Sequence, residues 1–311
     1  MNRITILIFV FLMLIFKNVN ANEKLTLLLD WFANPSHAPI FVAQQNGFFK
    51  EQHLDVEIIG PADPSDPPKL VAAGKADIAI TYEPQFMEQV DQGLPLIRIG
   101  TLIDKPLNCL VVLKTSSIKT LADLKGKRVG YSGSGINNIT LKTMLKTAGL
   151  NISDIELINV HYNLTQALFS HKVDAATGFM RTFELIQLSL AGYPALAFYP
   201  EQYGIPTYSE LILITRKNLI TDPRLPRFLR ALKKGTDYLH QHPEESWQQF
   251  SKNHPELNNE LNHQAWKATL PYFNQNPIAF NAKEWLQFAR FLQQNGLIKN
   301  VKPINDYAIK E

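Results

Sequence analysis

The chain contains a single cysteine, Cys109, in 311 residues. A lone thiol excludes an internal disulfide framework and any zinc or iron–sulfur cluster built from cysteines. An excess of charge of one sign is also missing. Lys and Arg number 31 against 28 acids. Two of the bases, Arg3 and Lys17, fall in the acid-free first 21 residues, which leaves 29 against 28 from Asn22 onward. A body this close to neutral gives no electrostatic footing for nucleic acid or an anionic membrane surface. Several enzyme signatures are absent too. There is no GxxxxGK[ST], and Gly133-Ser134-Gly135 lacks the third glycine of a dinucleotide fingerprint. No G-x-S-x-G elbow surrounds Ser132, because serine stands at position 134 where the second glycine is required. The eight histidines show no HExxH or other metal-ligand spacing. Internal repeats, low-complexity tracts and flexible linkers are missing as well.

What is present begins with an apolar run. Arg3 precedes Ile4–Phe16, and Val19 and Ala21 occupy the −3 and −1 positions of a small-residue cleavage site. The run ends at Lys17, short of the roughly 20 residues a spanning helix needs. Residues 1–21 are therefore expected to be a cleaved signal peptide. No cysteine follows to be lipidated, and a soluble, disulfide-free exported chain suits a periplasm.

The mature chain alternates short apolar runs with amphipathic segments. Strands are predicted at Leu25–Leu29, Val56–Ile59, Asp77–Thr81 and Leu96–Leu102, then at Leu110–Leu113, Arg128–Tyr131, Ile155–Val160, Asp174–Gly178, Ala195–Phe198 and Leu211–Thr215. Helical segments separate most of them, such as His37–Phe49, Pro84–Gln92 and Ile136–Ala148. This alternation argues for α/β sheets, and strands so apolar are buried on both faces. Beyond Asn218 only helical periodicity remains. Two α/β blocks and a helical tail assemble most simply as two lobes, each a mixed sheet flanked by helices, with the chain crossing twice. Lobe 1 is expected to comprise 22–109 plus 211–311, and lobe 2 to comprise 110–210.

In open α/β sheets, ligands sit outside the carboxyl ends of the strands. The segments that follow the predicted strands supply Trp31, Asn34 and His37, then Tyr82 and Glu83, Asn108, Ser132, Gly133 and Ser134, and finally Phe179 and Glu184. Trp31, Tyr82 and Phe179 offer flat faces for a planar ring. Asn34, Asn108, Glu83 and Glu184 offer acceptors for amino groups. No Lys or Arg cluster accompanies them, which disfavours a phosphate, sulfonate or dicarboxylate ligand. A neutral or weakly basic heteroaromatic amine fits better. Structural alternatives stay open: Trp31 as core, His37 as a helix cap, Glu184 as a helix-dipole partner, Ser132–Gly135 as a plain turn, and Asp30 as a structural acid.

Asp30-Trp31 with Asn34 and His37, then Val42-Ala43 and Gly47-Phe48-Phe49, resembles the opening of the ThiY type of thiamin-pyrimidine-precursor binding proteins, which serve ABC importers. Gly74-Lys75-Ala76-Asp77, Tyr82-Glu83-Pro84, Pro106-Leu107-Asn108, Leu121–Gly130, Val173-Asp174-Ala175 and Glu184 fit in register. The resemblance spans about Leu25 to Leu239. It implies a two-lobed periplasmic binding protein of type 2 that closes on a 4-amino-2-methylpyrimidine, formylated or hydroxymethylated. Trp31 and Tyr82 would border the ring, and Glu184 would meet its amino edge. The implied protein is a monomer without cofactor or metal that docks on an inner-membrane permease. The superfamily that this resemblance implies also includes the eukaryotic thiamin pyrimidine synthase, which shares this opening, including the His37 position, and consumes its own histidine and pyridoxal phosphate. The register puts Gln85 at that histidine and Thr81 at the cofactor lysine, and the synthase's cysteine-rich stretch has no counterpart near Pro206–Ile214. Binders of riboflavin precursors or alkanesulfonates are the sister families. An exported enzyme using His37 and Glu184 as acid and base is the expectation from a different class.

Overall fold

The computed structural model describes residues 22–132 and 139–309. The expected signal peptide therefore lies outside the described residues, as do Gly133 and Ser134. Among the described residues, ten strands form two five-stranded mixed sheets. They are β1 (Glu23–Leu28), β2 (Leu54–Ile59), β3 (Ile78–Thr81), β4 (Leu96–Ile103), β5 (Asn108–Leu113), β6 (Arg128–Tyr131), β7 (Glu156–Asn159), β8 (Ala175–Met180), β9 (Ala195–Phe198) and β10 (Leu211–Arg216). The first sheet has the order β2-β1-β3-β10-β4, and the second β7-β6-β8-β5-β9. The fold is α/β and two-lobed, and the chain crosses between the sheets after β4 and again after β9.

Within each sheet four strands share one direction and a single strand, β10 in the first and β5 in the second, runs against them. β1 pairs in parallel with β2 and β3, while β10 is antiparallel to both β3 and β4. In the second sheet β6 is parallel to β7 and β8, while β5 is antiparallel to β8 and β9. Parallel strands need helical crossovers, which cover both faces of a sheet. Accordingly every residue of β3 and β4 is buried.

Local sequence explains where the helices begin and end. Asn34 accepts the Ser36 N–H and caps the single 3-10 turn Pro35–His37, which leads into the helix Ala38–Gln45. Gly47, at φ 74°, takes the left-handed conformation that ends this helix and starts the turn Phe48–Glu51. The predicted single helix His37–Phe49 is thus three short pieces. The tail helix Arg224–Gln241 buries Leu225, Phe228, Leu229, Leu232, Thr236 and Leu239, the 3–4 spacing of an amphipathic helix. It lies against Ala38–Gln45 so closely that a Cβ at Gly235 would stand 2.6 Å from the Pro39 carbonyl oxygen and 2.7 Å from the Ala43 Cβ. Of the tail tryptophans, Trp247 and Trp266 pack in the first lobe's core with Phe41 and Phe250, and Trp285 packs against Phe86.

Gly235→Ala tests this helix contact. Its methyl meets backbone atoms that cannot rotate away, so the helices must separate. The variant is expected to lose about 1–3 kcal/mol in urea unfolding, although alanine has the higher helix propensity. An unchanged or raised midpoint shows that the two helices are not in that close contact.

Candidate functional site

The carboxyl ends of β1, β3, β6 and β8 and the amino ends of β5 and β10 surround one cavity of about 130 Å³. That is room for on the order of ten water-sized groups. Trp31, Asn34, Tyr82, Asn108, Ser132 and Glu184 all line it, joined by Asp30, Gln85, Glu88, Phe183, Tyr208 and Glu210.

Asp30 organises the first-lobe wall. It is buried, and each of its carboxylate oxygens receives one donor: His37 Nε2 at 2.9 Å from Oδ1, and the Tyr82 hydroxyl at 2.6 Å from Oδ2. The Asn34 N–H donates to His37 Nδ1, which leaves the ring proton on Nε2 to face Asp30. Both ring nitrogens are therefore engaged. His37 is fully buried behind Asp30 and does not line the cavity. The Asn34 amide also serves the loop, donating to the Phe32 carbonyl and accepting the Ser36 N–H. Burial and the neighbouring Asp30 carboxylate hold the Tyr82 hydroxyl well above its ordinary value, so it remains a donor.

Glu184 begins the helix Glu184–Leu190 and accepts the Met180 N–H through Oε2 at 2.7 Å. Burial pushes its carboxyl up to about 7. Glu210 is its counterpart at the chain crossing. Its Oε2 accepts the N–H groups of both Leu107 and Asn108, the latter at 2.8 Å, and burial again raises it to about 7. The same carboxylate thereby ties the second crossing to the first. Trp31 Nε1, Asn108 Oδ1 and Ser132 Oγ are buried and have no hydrogen-bond partner among the described residues. All three residues line the cavity.

Besides His37, two further expected residues lie elsewhere. Phe179 was placed in a loop after a strand ending at Gly178, but β8 runs on to Met180 because Asn108 and Cys109 pair with Met180 and Phe179. Side chains alternate along a strand. Gly178 and Met180 therefore line the cavity, while Phe179 points the other way into the second lobe's core. Phe183 supplies an aromatic face instead. Glu83 is buried away from the cavity, where its Oε2 accepts the Ser209 N–H at 2.6 Å, and burial pushes it up to about 8. Its place is to hold the second crossing.

Glu210, Glu88, Phe183 and Tyr208 also line the cavity, and no local signal in the sequence marks them. Glu210 precedes β10, and because β10 is antiparallel to β3 its amino end sits at the carboxyl rim beside Thr81. The start of a returning strand, not its end, therefore faces the cleft.

Four acids, Asp30, Glu88, Glu184 and Glu210, line the cavity, and no Lys, Arg or His does so among the described residues. Burial raises Glu88 to about 7 as well. The arrangement can receive a flat ring between aromatic faces and accept hydrogen bonds from amino or protonated ring nitrogens.

The chain has a two-lobed α/β fold with a small acid-lined cavity in its cleft. The chain belongs to the NMT1/THI5-like family, whose pattern matches residues 34–246. It is 52% identical over 291 residues, 93% of each chain, to a Haemophilus influenzae protein named for thiamine biosynthesis. It is 33% identical over 240 residues to the formylaminopyrimidine-binding protein of Halalkalibacterium halodurans, covering 76% of this chain and 73% of that one. It is also 30% identical over 280 residues to a 4-amino-5-hydroxymethyl-2-methylpyrimidine phosphate synthase of Legionella pneumophila, covering 89% and 88%. Among solved structures it resembles the alkanesulfonate-binding protein SsuA of Xanthomonas axonopodis pv. citri, with a TM-score of 0.73 and 15% identity over 93% of this chain and 98% of that one. That likeness is one of fold.

The buried carboxyls make the ligand-free protein pH-sensitive. A carboxyl raised by folding binds its proton more tightly in the folded chain than in the unfolded one. Its stabilising contribution is complete below the ordinary value of 4.5 and is lost as pH rises toward 7 for Glu184 and Glu210 and toward 8 for Glu83. The melting temperature should therefore fall between about pH 5 and 8, and Glu184→Gln and Glu210→Gln should each flatten the fall. Parallel profiles for parent and variants would show that neither carboxyl is raised.

Proposed function

We propose that the protein is the substrate-binding component of an ABC importer, and that it carries a 4-amino-2-methylpyrimidine thiamin precursor. The observation that carries this reading is the cavity: aromatic, rich in acids and free of cationic side chains among the described residues. An aminopyrimidine presents an amino N–H beside a ring nitrogen whose protonation a carboxylate favours. Glu184 is the acceptor for that edge, and Trp31 and Tyr82 border the ring. The match to a formylaminopyrimidine-binding protein supports the ligand class. A sulfonate would meet carboxylates here and no cation among the described residues, although the fold resembles that of SsuA.

In this reading, residues 1–21 direct export and are removed, and the mature monomer works in the periplasm. The ligand bridges the two lobes and shifts an open–closed equilibrium, and the closed face docks on a permease. A synthase is the competing activity, since relatives carry that name. Its pyridoxal phosphate would need a lysine where this chain has Thr81, and its sacrificial histidine falls on Gln85. The acid–base alternative is disfavoured by His37, which lies sealed behind Asp30.

Calorimetry with the formylaminomethyl and hydroxymethyl pyrimidines tests the proposal. Trp31→Ala is expected to weaken binding by about 1.5–3 kcal/mol through lost stacking area. Glu184→Gln, which keeps the shape and loses the charge-assisted bond, is expected to cost about 1.5–3 kcal/mol. The released ligand should be chemically unchanged by mass spectrometry, and pyridoxal phosphate should give no Schiff-base absorbance. Ligand at about a hundred times its dissociation constant should stabilise the protein by roughly 2.7 kcal/mol. No melting shift with any aminopyrimidine, beside a clear one with a flavin or an alkanesulfonate, would overturn the ligand assignment.

A further inference from the structure

Both chain crossings leave the sheets on the same side. β10 and β4 occupy one edge of the first sheet, and β5 and β9 one edge of the second. The opposite edges are β2 and β7, where no covalent connection joins the lobes. Yet the lobes meet there. The Tyr162 hydroxyl, in the loop after β7, donates to the Pro61 carbonyl, in the loop after β2, at 2.6 Å. Beside it His161 Nδ1 stands 3.3 Å from Asp63 Oδ2. The Tyr162 ring is edge-on to Trp31, with 4.6 Å between centroids, and Phe32 reaches Phe183 of the second lobe at 6.0 Å. The loop that presents Tyr162 is locally set. His161 takes a left-handed conformation, φ 49°, and donates its N–H to Asn159 Oδ1, while the Asn163 N–H returns to the Val160 carbonyl.

We propose that Tyr162 is a positioning residue for the ligand site: it bolts the open side of the cleft through Pro61 and orients Trp31 against the bound ring. The proposal rests on the reading of the protein as a binder that closes on its ligand. Tyr162 does not itself line the cavity, so it acts through Trp31 and through the closed state. A contact at the edge remote from both crossings has the longest lever arm against reopening. Its hydrogen bond exists only with the lobes together, so it governs how long a closed complex lasts rather than how fast the ligand arrives.

Tyr162→Phe keeps the ring and removes the donor, and Tyr162→Ala removes both. Dissociation of the formylaminomethyl pyrimidine, followed by stopped-flow tryptophan fluorescence, should accelerate roughly 3–10-fold in Tyr162→Phe, the effect of one net hydrogen bond. It should accelerate further in Tyr162→Ala. Association should change by less than about twofold. Equal dissociation rates, or an affinity change carried by association alone, would overturn the proposal. A second measurement needs no ligand. Pro61→Cys/Tyr162→Cys, treated with a short bismaleimide, should cross-link within the chain, with the buried native Cys109 unreactive. Cross-linking no greater than in the urea-unfolded protein would show that the two edges do not meet, whatever the ligand. Failure of the parent to bind any aminopyrimidine refutes the ligand assignment instead and leaves the cross-link to decide the clasp.

Discussion

A buried carboxylate must find donors inside the protein, because an unpaired one costs several kcal/mol. Asp30 meets that demand with one donor on each oxygen, His37 and Tyr82. The rest of the first-lobe wall depends on this arrangement. To donate to Asp30, His37 must carry its proton on Nε2, and the Asn34 N–H fixes that by pointing at Nδ1. This constraint folds the loop Asp30–His37 into one compact turn and sets Trp31 and Asn34 at the cavity. The bond to Tyr82 then fastens that turn to the start of the helix Glu83–Asp91. The histidine that looks from its sequence context like a ligand group is therefore a brace.

The same chemistry recurs around the cleft in a backbone form. Glu184 takes the Met180 N–H, Glu210 those of Leu107 and Asn108, and Glu83 that of Ser209. Glu210 and Glu83 anchor the two chain crossings, and Glu184 secures the end of β8. The consequence is electrostatic. Burial raises all three carboxyls, and among the described residues no Lys, Arg or His reaches the cavity to offset Glu184 and Glu210. An acid-lined cavity of this kind favours a ligand that brings amino or cationic groups, and a shared fold does not fix that charge requirement.

Alternation of apolar strands with amphipathic helices was legible, since it follows from burial on both faces of a parallel sheet. The ends of elements were less so. β8 was expected to stop at Gly178 and continues to Met180, because a long-range partner, β5, supplies hydrogen bonds that no local signal announces. That two-residue extension moved Phe179 from the site to the core.

Sequence by itself determined the α/β class, the two crossings and the identities of Trp31, Asn34, Tyr82, Asn108, Ser132 and Glu184 as residues at the rim, because loops after buried strands lie at strand ends by local geometry. Tertiary structure alone decided which of the acids face the cavity. Glu210 enters because β10 runs backwards and brings its amino end to the carboxyl rim, whereas Glu83 turns away to hold Ser209. Tertiary structure likewise brought Tyr162 to Pro61 across the open side of the cleft. Those placements depend on strand direction and on contacts between residues about a hundred apart in the chain, and neither leaves a periodic trace in the sequence.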